Sequence, residues 1–239
     1  MQINADFSVI IPTRNRPVFL AEAVASILAQ NFKRFEILVV NDGEGSIGPF
    51  DDKRIRVLDN HQRGAVAARN FGVTQAKGKY IAFLDDDDYF IDTCHLTRAN
   101  AALNDLAEFF YANGTMMFPD GRKKLFARRA DASSLRLNNT ILVSTICYHA
   151  SLHQQLGLFD ETLPYYWDWD WYLRVAGSNN RMAHSNRSAV AIRVHQDNMS
   201  GQSNFAPRRA NLDQLSAKHG LGCITLKNHL DFVVPSATN

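Results

Sequence analysis

Cysteine is scarce in this 239-residue chain, and the three present lie far apart. Cys94, Cys147 and Cys223 form no CxxC pair, so neither a disulfide framework nor a zinc site is expected. Idle, reduced thiols fit a reducing compartment. Long hydrophobic runs are missing too. The longest, such as residues 37–40, are strand length and far short of the ~20 residues that cross a bilayer. The segment from Met1 to Asp6 has no basic stretch followed by an apolar one, so no signal peptide is expected. The expected location is the cytoplasm, with membrane contact only at the surface. Nor is there an excess of one charge. A net charge of +2 argues against a protein held to nucleic acid through phosphate contacts. It leaves room for one small anionic ligand, because local charge decides that. Glycine-rich phosphate loops are also absent: no dinucleotide fingerprint follows the first strand, and no P-loop occurs. That excludes a Rossmann dehydrogenase and a P-loop kinase. No internal repeat, low-complexity segment or interdomain linker is visible.

What is present is apolar and ordered. Hydrophobic residues make up 46% of the chain, enough for a sizeable core. Residues 7–11, 35–40, 55–58 and 80–84 read as strands. Between them, residues 17–31 and 65–76 carry helical spacing, the first opening on Pro17, where a missing N–H costs nothing. This alternation predicts an α/β fold with a largely parallel sheet covered on both faces. The second half is less regular. A strand is expected at 108–112, a hairpin around Pro119-Asp120-Gly121 and a strand at 146–148. A short helix should start at Ser151, and a longer one should run from Trp169 to Ala176, ended by Gly177. A late strand at 189–194 and a late helix at 207–219 complete the reading.

Ligands in such sheets bind beyond the carboxyl ends of the strands. Three features sit there: Pro12-Thr13-Arg14-Asn15-Arg16, Asn41-Asp42-Gly43 and Asp85-Asp86-Asp87-Asp88. Four successive carboxylates after a buried strand repel one another, and a hard divalent cation with oxygen ligands relieves that repulsion. A solvated acidic turn is the plainer alternative. Asp42 is either a ligand-facing carboxylate or an Asx turn. Arg63 and Arg69 flank the start of a helix, where an arginine meets a diphosphate or pairs with the aspartates. Trp167-Asp168-Trp169-Asp170-Trp171 offers aromatic platforms beside a carboxylate whose pKa apolar walls would raise. A helix start with core tryptophans and an acidic cap is the alternative. His195 ends a strand. The basic pairs Lys123-Lys124, Arg128-Arg129 and Arg208-Arg209 are solvated or touch anionic lipid.

In order and spacing, these segments resemble the family 2 inverting glycosyltransferases of the GT-A fold. The resemblance rests on residues 8–16, 36–43, Gly64 with 68–72, 78–88, 156–161, Asp168-Trp169-Asp170 and Arg174, and covers roughly residues 7 to 200. It implies a single GT-A domain over 1–239: a nucleotide-sugar-binding half at 1–110, an acceptor-side half with a small antiparallel element at 111–202, and a C-terminal helix and tail at 203–239. It also implies roles. Thr13 and Arg14, with Pro12 and Arg16, would border the nucleotide, and Asp42 would accept a hydrogen bond from uracil. Asp85 and Asp86 would face ribose and diphosphate, supported by Arg63 or Arg69. Asp87 and His195 would hold the metal, Mn²⁺ or Mg²⁺. Asp168 stands at the position of the family's catalytic base, with Asp170 the alternative because Trp167 replaces the usual Glu before it. Trp167 and Trp169 would contact the acceptor or the sugar. The donor implied is a UDP-sugar, and the acceptor a saccharide, a lipid-linked sugar or a protein. Two rivals stand beside this reading: a sugar nucleotidyltransferase, weakened by the lack of glycine after the first strand, and a nucleotide-sugar-binding protein without transferase activity.

Overall fold

The structure, a computed structural model, describes residues 5–61, 63–195 and 205–233. Strand β1 (Phe7–Thr13) is flanked by β2 (Phe35–Asn41) and β4 (Tyr80–Phe83), and β3 (Ile55–Asp59) borders β2. All three pairings are parallel. Every residue of β1, β2 and β4 is buried, because helices cover both faces of this half of the sheet. Successive side chains point to opposite faces. Ile10, Leu38, Val40 and Phe83 enter one core, closed by α2 (Ala65–Gln75) and α6 (Trp167–Gly177). Val9, Ile11, Ile37 and Val39 enter the other, closed by α1 (Pro17–Leu28) and α3 (His95–Asp105). Helix α2 lies unusually near the sheet. A Cβ at Gly72 would sit 2.6 Å from the Ile10 Cγ2, which close packing does not admit.

The same sheet continues into the second half of the chain. β4 pairs antiparallel with β8 (Cys147–His149), which pairs antiparallel with β6 (Phe109–Met117). β9 (Met182–Arg193) runs parallel to β6, and β5 (Tyr89–Phe90) ends the row antiparallel to β9. β7 (Lys123–Phe126) forms a hairpin with β6. The turn falls at Pro119-Asp120-Gly121 as the sequence predicts, with Gly121 at φ 84°. The expected boundary at residues 110 and 111 lies inside β6, and the one at 202 and 203 lies outside the described residues. No helix among the described residues is long and apolar enough to cross a membrane.

Several elements differ from their sequence expectation. Helix α1 stops at Leu28, and α6 begins at Trp167, two residues early. β9 begins at Met182 because β6 pairs with its polar first half, which has no apolar pattern of its own. α7 (Phe205–His219) and α5 (Leu152–Leu156) fall close to their predicted places. α3 and the short α4 (Ala132–Leu135) were not anticipated. In α3 the buried Leu96, Ala99 and Leu103 do follow helical spacing. The intervening Thr97, Asn100 and Asn104 are weak helix formers and blur it.

Candidate active site

The carboxyl ends of β1, β2 and β4 open into a cleft of about 480 Å³. The acidic run forms its floor. It leaves β4 and turns at once, with the Asp88 N–H donating to the Asp85 carbonyl at 3.0 Å. It then enters β5, whose pairing sets Tyr89 opposite Ala191. That register brings the end of β9 against the aspartates. The Arg193 N–H donates to Asp88 Oδ1 at 3.2 Å, and Arg193 Nη1 donates to the Asp87 carbonyl at 2.7 Å. His195 Nε2 lies 2.9 Å from Asp87 Oδ2. The stretch 196–200 that follows it lies outside the described residues.

Each aspartate has a distinct environment. Asp85 pairs with Arg69. Asp86 accepts from Thr13 Oγ1 at 2.7 Å, and Arg16 donates to Asp86 at 3.3 Å and to Asp87 at 2.7 Å. Asp88 accepts from Ser144 Oγ at 2.6 Å. Burial raises the carboxyls of Asp85, Asp86 and Asp88 above the ordinary range. Asp88 is pushed well above it, by burial first and then by the charges of Asp87 and Asp85. One oxygen from each of Asp85, Asp87 and Asp88 lies within 4.8 Å of the others. Hard oxygen donors at that separation, destabilised by their mutual repulsion, fit a divalent cation. Asp85 and Asp88 thus stand in the candidate ligand set beside Asp87.

The other side of the cleft holds Asp168 in the first turn of α6. Its Oδ2 accepts from Asn139 Nδ2 at 2.8 Å, and its Oδ1 accepts from the Trp169 N–H at 2.8 Å. Burial raises its pKa to about 6, against the opposing pull of those two donors and of Arg69. Asp170 is elsewhere. It is fully buried and does not line the cleft. Arg174 at 2.9 Å, Lys218 at 2.7 Å and His219 at 2.8 Å surround its carboxylate. Burial alone would raise that carboxyl, yet these partners hold it at about 2. The alternative catalytic position is therefore a structural anchor between α6 and the end of α7. Asp170→Asn is expected to lower stability by roughly 3 kcal/mol, since a buried carboxylate loses its charge beside Arg174 and Lys218. Urea unfolding checks the loss. Ligand binding in the cleft, which Asp170 does not line, should be unchanged in the folded protein.

The remaining predicted residues divide. Pro12, Thr13, Arg14, Arg16, Asp42, Arg69, Trp167 and Trp169 line the cleft; Arg63 is exposed and does not. Asp42 Oδ1 accepts from Asn60 Nδ2 at 2.6 Å and from the Gly64 N–H at 3.0 Å. Gly64 reaches that position at φ 101°, a backbone conformation suited to glycine. The Asx turn belongs to the neighbouring Asn41, which accepts from the Gly43 N–H at 3.0 Å. The tryptophans are mostly core. Trp167 carries the Arg69 guanidinium on its ring at 4.5 Å, and Trp169 Nε1 donates to the Leu135 carbonyl at 2.7 Å. Asn139, Ser144 and Arg193 were missed. Asn139 and Ser144 sit in segments with no motif, Arg193 stands two residues before His195, and only the tertiary contact gives each its place.

A sequence profile of glycosyl transferase family 2 matches residues 8–151. The chain belongs to this family. It is therefore a glycosyl-transfer enzyme. It is 36% identical over 238 residues to the uncharacterized glycosyltransferase YwdF of Bacillus subtilis (strain 168), covering 92% of this chain and 87% of that protein. A 112-residue stretch is 32% identical to the UDP-Glc:alpha-D-GlcNAc-diphosphoundecaprenol beta-1,3-glucosyltransferase WfgD of Escherichia coli, 44% of each chain. Other relatives are much longer, and the match to one from Rickettsia felis spans 15% of it. Among solved structures, S. aureus TarS 1-349 in complex with UDP-GlcNAc superposes with a TM-score of 0.66 at 19% identity, over 89% of this chain and 66% of that one. The mannosyltransferase PcManGT from Pyrobaculum calidifontis, in complex with GDP-Man and Mn²⁺, gives 0.61 at 16% identity, over 89% and 63%. The sheet and its flanking helices are those of the GT-A fold.

Proposed function

We propose that this family 2 enzyme transfers a sugar from a UDP-sugar to an acceptor hydroxyl with inversion, with Asp168 as the general base. The observation that carries the reading is a buried carboxylate across the cleft from the acidic run, with a pKa of about 6. At neutral pH such a group is mostly ionised, yet basic enough to take a proton as the bond forms. Asp168 takes the acceptor hydroxyl proton while that oxygen attacks the anomeric carbon. The bond to the diphosphate oxygen breaks on the opposite face. Asp42, with Oδ1 fixed by Asn60 and Gly64, presents its other oxygen to the nucleobase. Arg16 and Arg69 stand where the diphosphate would lie. Asp85, Asp87 and Asp88, with His195 beside Asp87, would hold Mn²⁺ or Mg²⁺. The chemistry supplied by that cation is neutralisation of charge on the departing diphosphate. The UDP-GlcNAc complex of TarS and the name of WfgD favour UDP as the carrier. WfgD's name also supports a lipid-linked acceptor among the acceptor classes. A screen of UDP-sugars with manganese, reading UDP release with and without added acceptors, tests the proposal. Binding of UDP without turnover of any UDP-sugar would reduce the chain to a nucleotide-sugar-binding protein.

Asn139 offers a separate check on the base. It is a positioning residue: its amide donates to Asp168 and lowers that carboxyl's pKa. The other groups acting on Asp168 are the Trp169 N–H and Arg69 on α2. In Asn139→Ala the carboxylate loses a donor, so its pKa rises and the acid limb of kcat/KM moves to higher pH. Activity above pH 8 should be largely kept. A uniform loss at every pH would mean that Asn139 matters only for packing.

A further inference from the structure

The segment from Ile224 to Phe232 follows α7 and lies across the Asp168 end of the cleft. Three arginines hold its backbone. Arg209 Nη1 donates to the Ile224 carbonyl at 2.7 Å, Arg208 Nη2 to the Lys227 carbonyl at 2.7 Å, and Arg128 Nη2 to the Phe232 carbonyl at 2.9 Å. A 3₁₀ turn at His229–Phe232 is capped by Asn228. His229 packs edge-on against Phe126 at 5.5 Å. A strap tied down at three carbonyls presents its side chains at fixed places.

Those side chains are not what a free saccharide needs. Leu230 is 40% exposed, and Leu137 on the neighbouring loop is 63% exposed; both line the cleft. Large apolar side chains left open beside a binding cleft signal an apolar occupant. Between them Lys227 Nζ donates to Asn138 Oδ1 at 2.9 Å, joining the strap to the loop. Lys227 Nζ also lies 5.4 Å from the Phe232 ring centroid, and among the described residues no carboxylate pairs with it, so its charge is not neutralised by an acid. The segment from Arg122 to Arg136 carries six cations and one carboxylate, Asp131, but none of these residues lines the cleft, and Arg122 pairs with Asp120. Trp167 and Trp169, by contrast, are buried and spend their ring face or N–H on protein partners.

We propose that Leu137, Lys227 and Leu230 form an acceptor subsite for an amphiphile, a sugar joined through a phosphate to an apolar chain. The inference rests on the transferase reading above, with the sugar hydroxyl at Asp168. The phosphate meets Lys227, and the chain leaves along the two leucines. Sugar recognition by the tryptophans contributes little.

Decyl phosphate, below its micelle concentration, is the probe, titrated into the full chain with UDP and MnCl₂ and read by calorimetry. Wild type should bind it, and it should bind decyl maltoside, which lacks the phosphate, more weakly. Leu137→Ser/Leu230→Ser and Lys227→Glu should each raise the Kd for decyl phosphate roughly tenfold or more. UDP binding should be unchanged in both variants, which also shows that they fold. Equal affinity in wild type and variants overturns the subsite. Inorganic phosphate competing as well as decyl phosphate also overturns it, since the site then reads only an anion. Failure of wild type to bind UDP at all would sink the transferase reading instead, and the decyl phosphate arm would still judge the subsite.

Discussion

Asp168→Asn is expected to lower sugar transfer by about 10²–10⁴-fold, the range for loss of a general base, while UDP affinity stays within about threefold. The substitution keeps the shape of the side chain and its place against Asn139 and the Trp169 N–H. It removes the ability to take a proton, and its amide nitrogen, a donor only, keeps a bond to residue 139 once Asn139 turns its own oxygen inward. In wild type, kcat/KM should rise with pH through about 6, because Asp168 is protonated and idle below that value. In Asp168→Asn that limb should vanish. Transfer at the wild-type rate would move the base elsewhere in the cleft. Asp170 is a poor substitute, since its carboxylate is enclosed by Arg174, Lys218 and His219.

The second large effect concerns the cation. UDP should bind at least about tenfold more tightly with Mn²⁺ or Mg²⁺ than in chelator, a difference of about 1.4 kcal/mol or more. Asp87→Ala should remove most of it. Asp87 is one of the three carboxylates whose oxygens approach within 4.8 Å, and His195 stands beside it. Asp86→Ala tests the same geometry from the other direction. Its carboxylate is engaged by Thr13 and Arg16 and lies outside that trio. UDP affinity should then fall with the metal dependence largely kept. Equal UDP binding in chelator and in manganese would remove the cation from the site.

Much of the nucleotide-facing side was legible in the chain itself. Runs such as residues 7–11 and 35–40 have no polar alternation, and only a strand buried on both faces satisfies that pattern. Parallel strands bring their carboxyl ends to one edge, so Thr13, Asp42 and Asp85 had to converge there. Proline at the start of α1 marked a helix start with equal economy. These signals are local or follow from strand direction alone.

The acceptor side was decided by tertiary structure. Asn139 meets Asp168 across 29 positions, Ser144 meets Asp88 across 56, and Arg193 meets the acidic run across more than a hundred. Each lies where no periodicity or turn chemistry assigns a role, and only the β5–β9 register and the placement of α6 bring them together. The choice between Asp168 and Asp170 shows the same division. In sequence they are equivalent, two carboxylates between tryptophans. Two residues on a helix differ by about 200° of rotation. One therefore faces the cleft and has a pKa of about 6, while the other meets Arg174, Lys218 and His219 and is held at about 2. The sequence by itself determined a parallel α/β core with a carboxylate cluster at its ligand edge, because buried strands and charge repulsion are local physics. Which of the two carboxylates lines the cleft, and which residues stand across it from the acidic run, were decided only by packing, since both depend on partners far away in the chain.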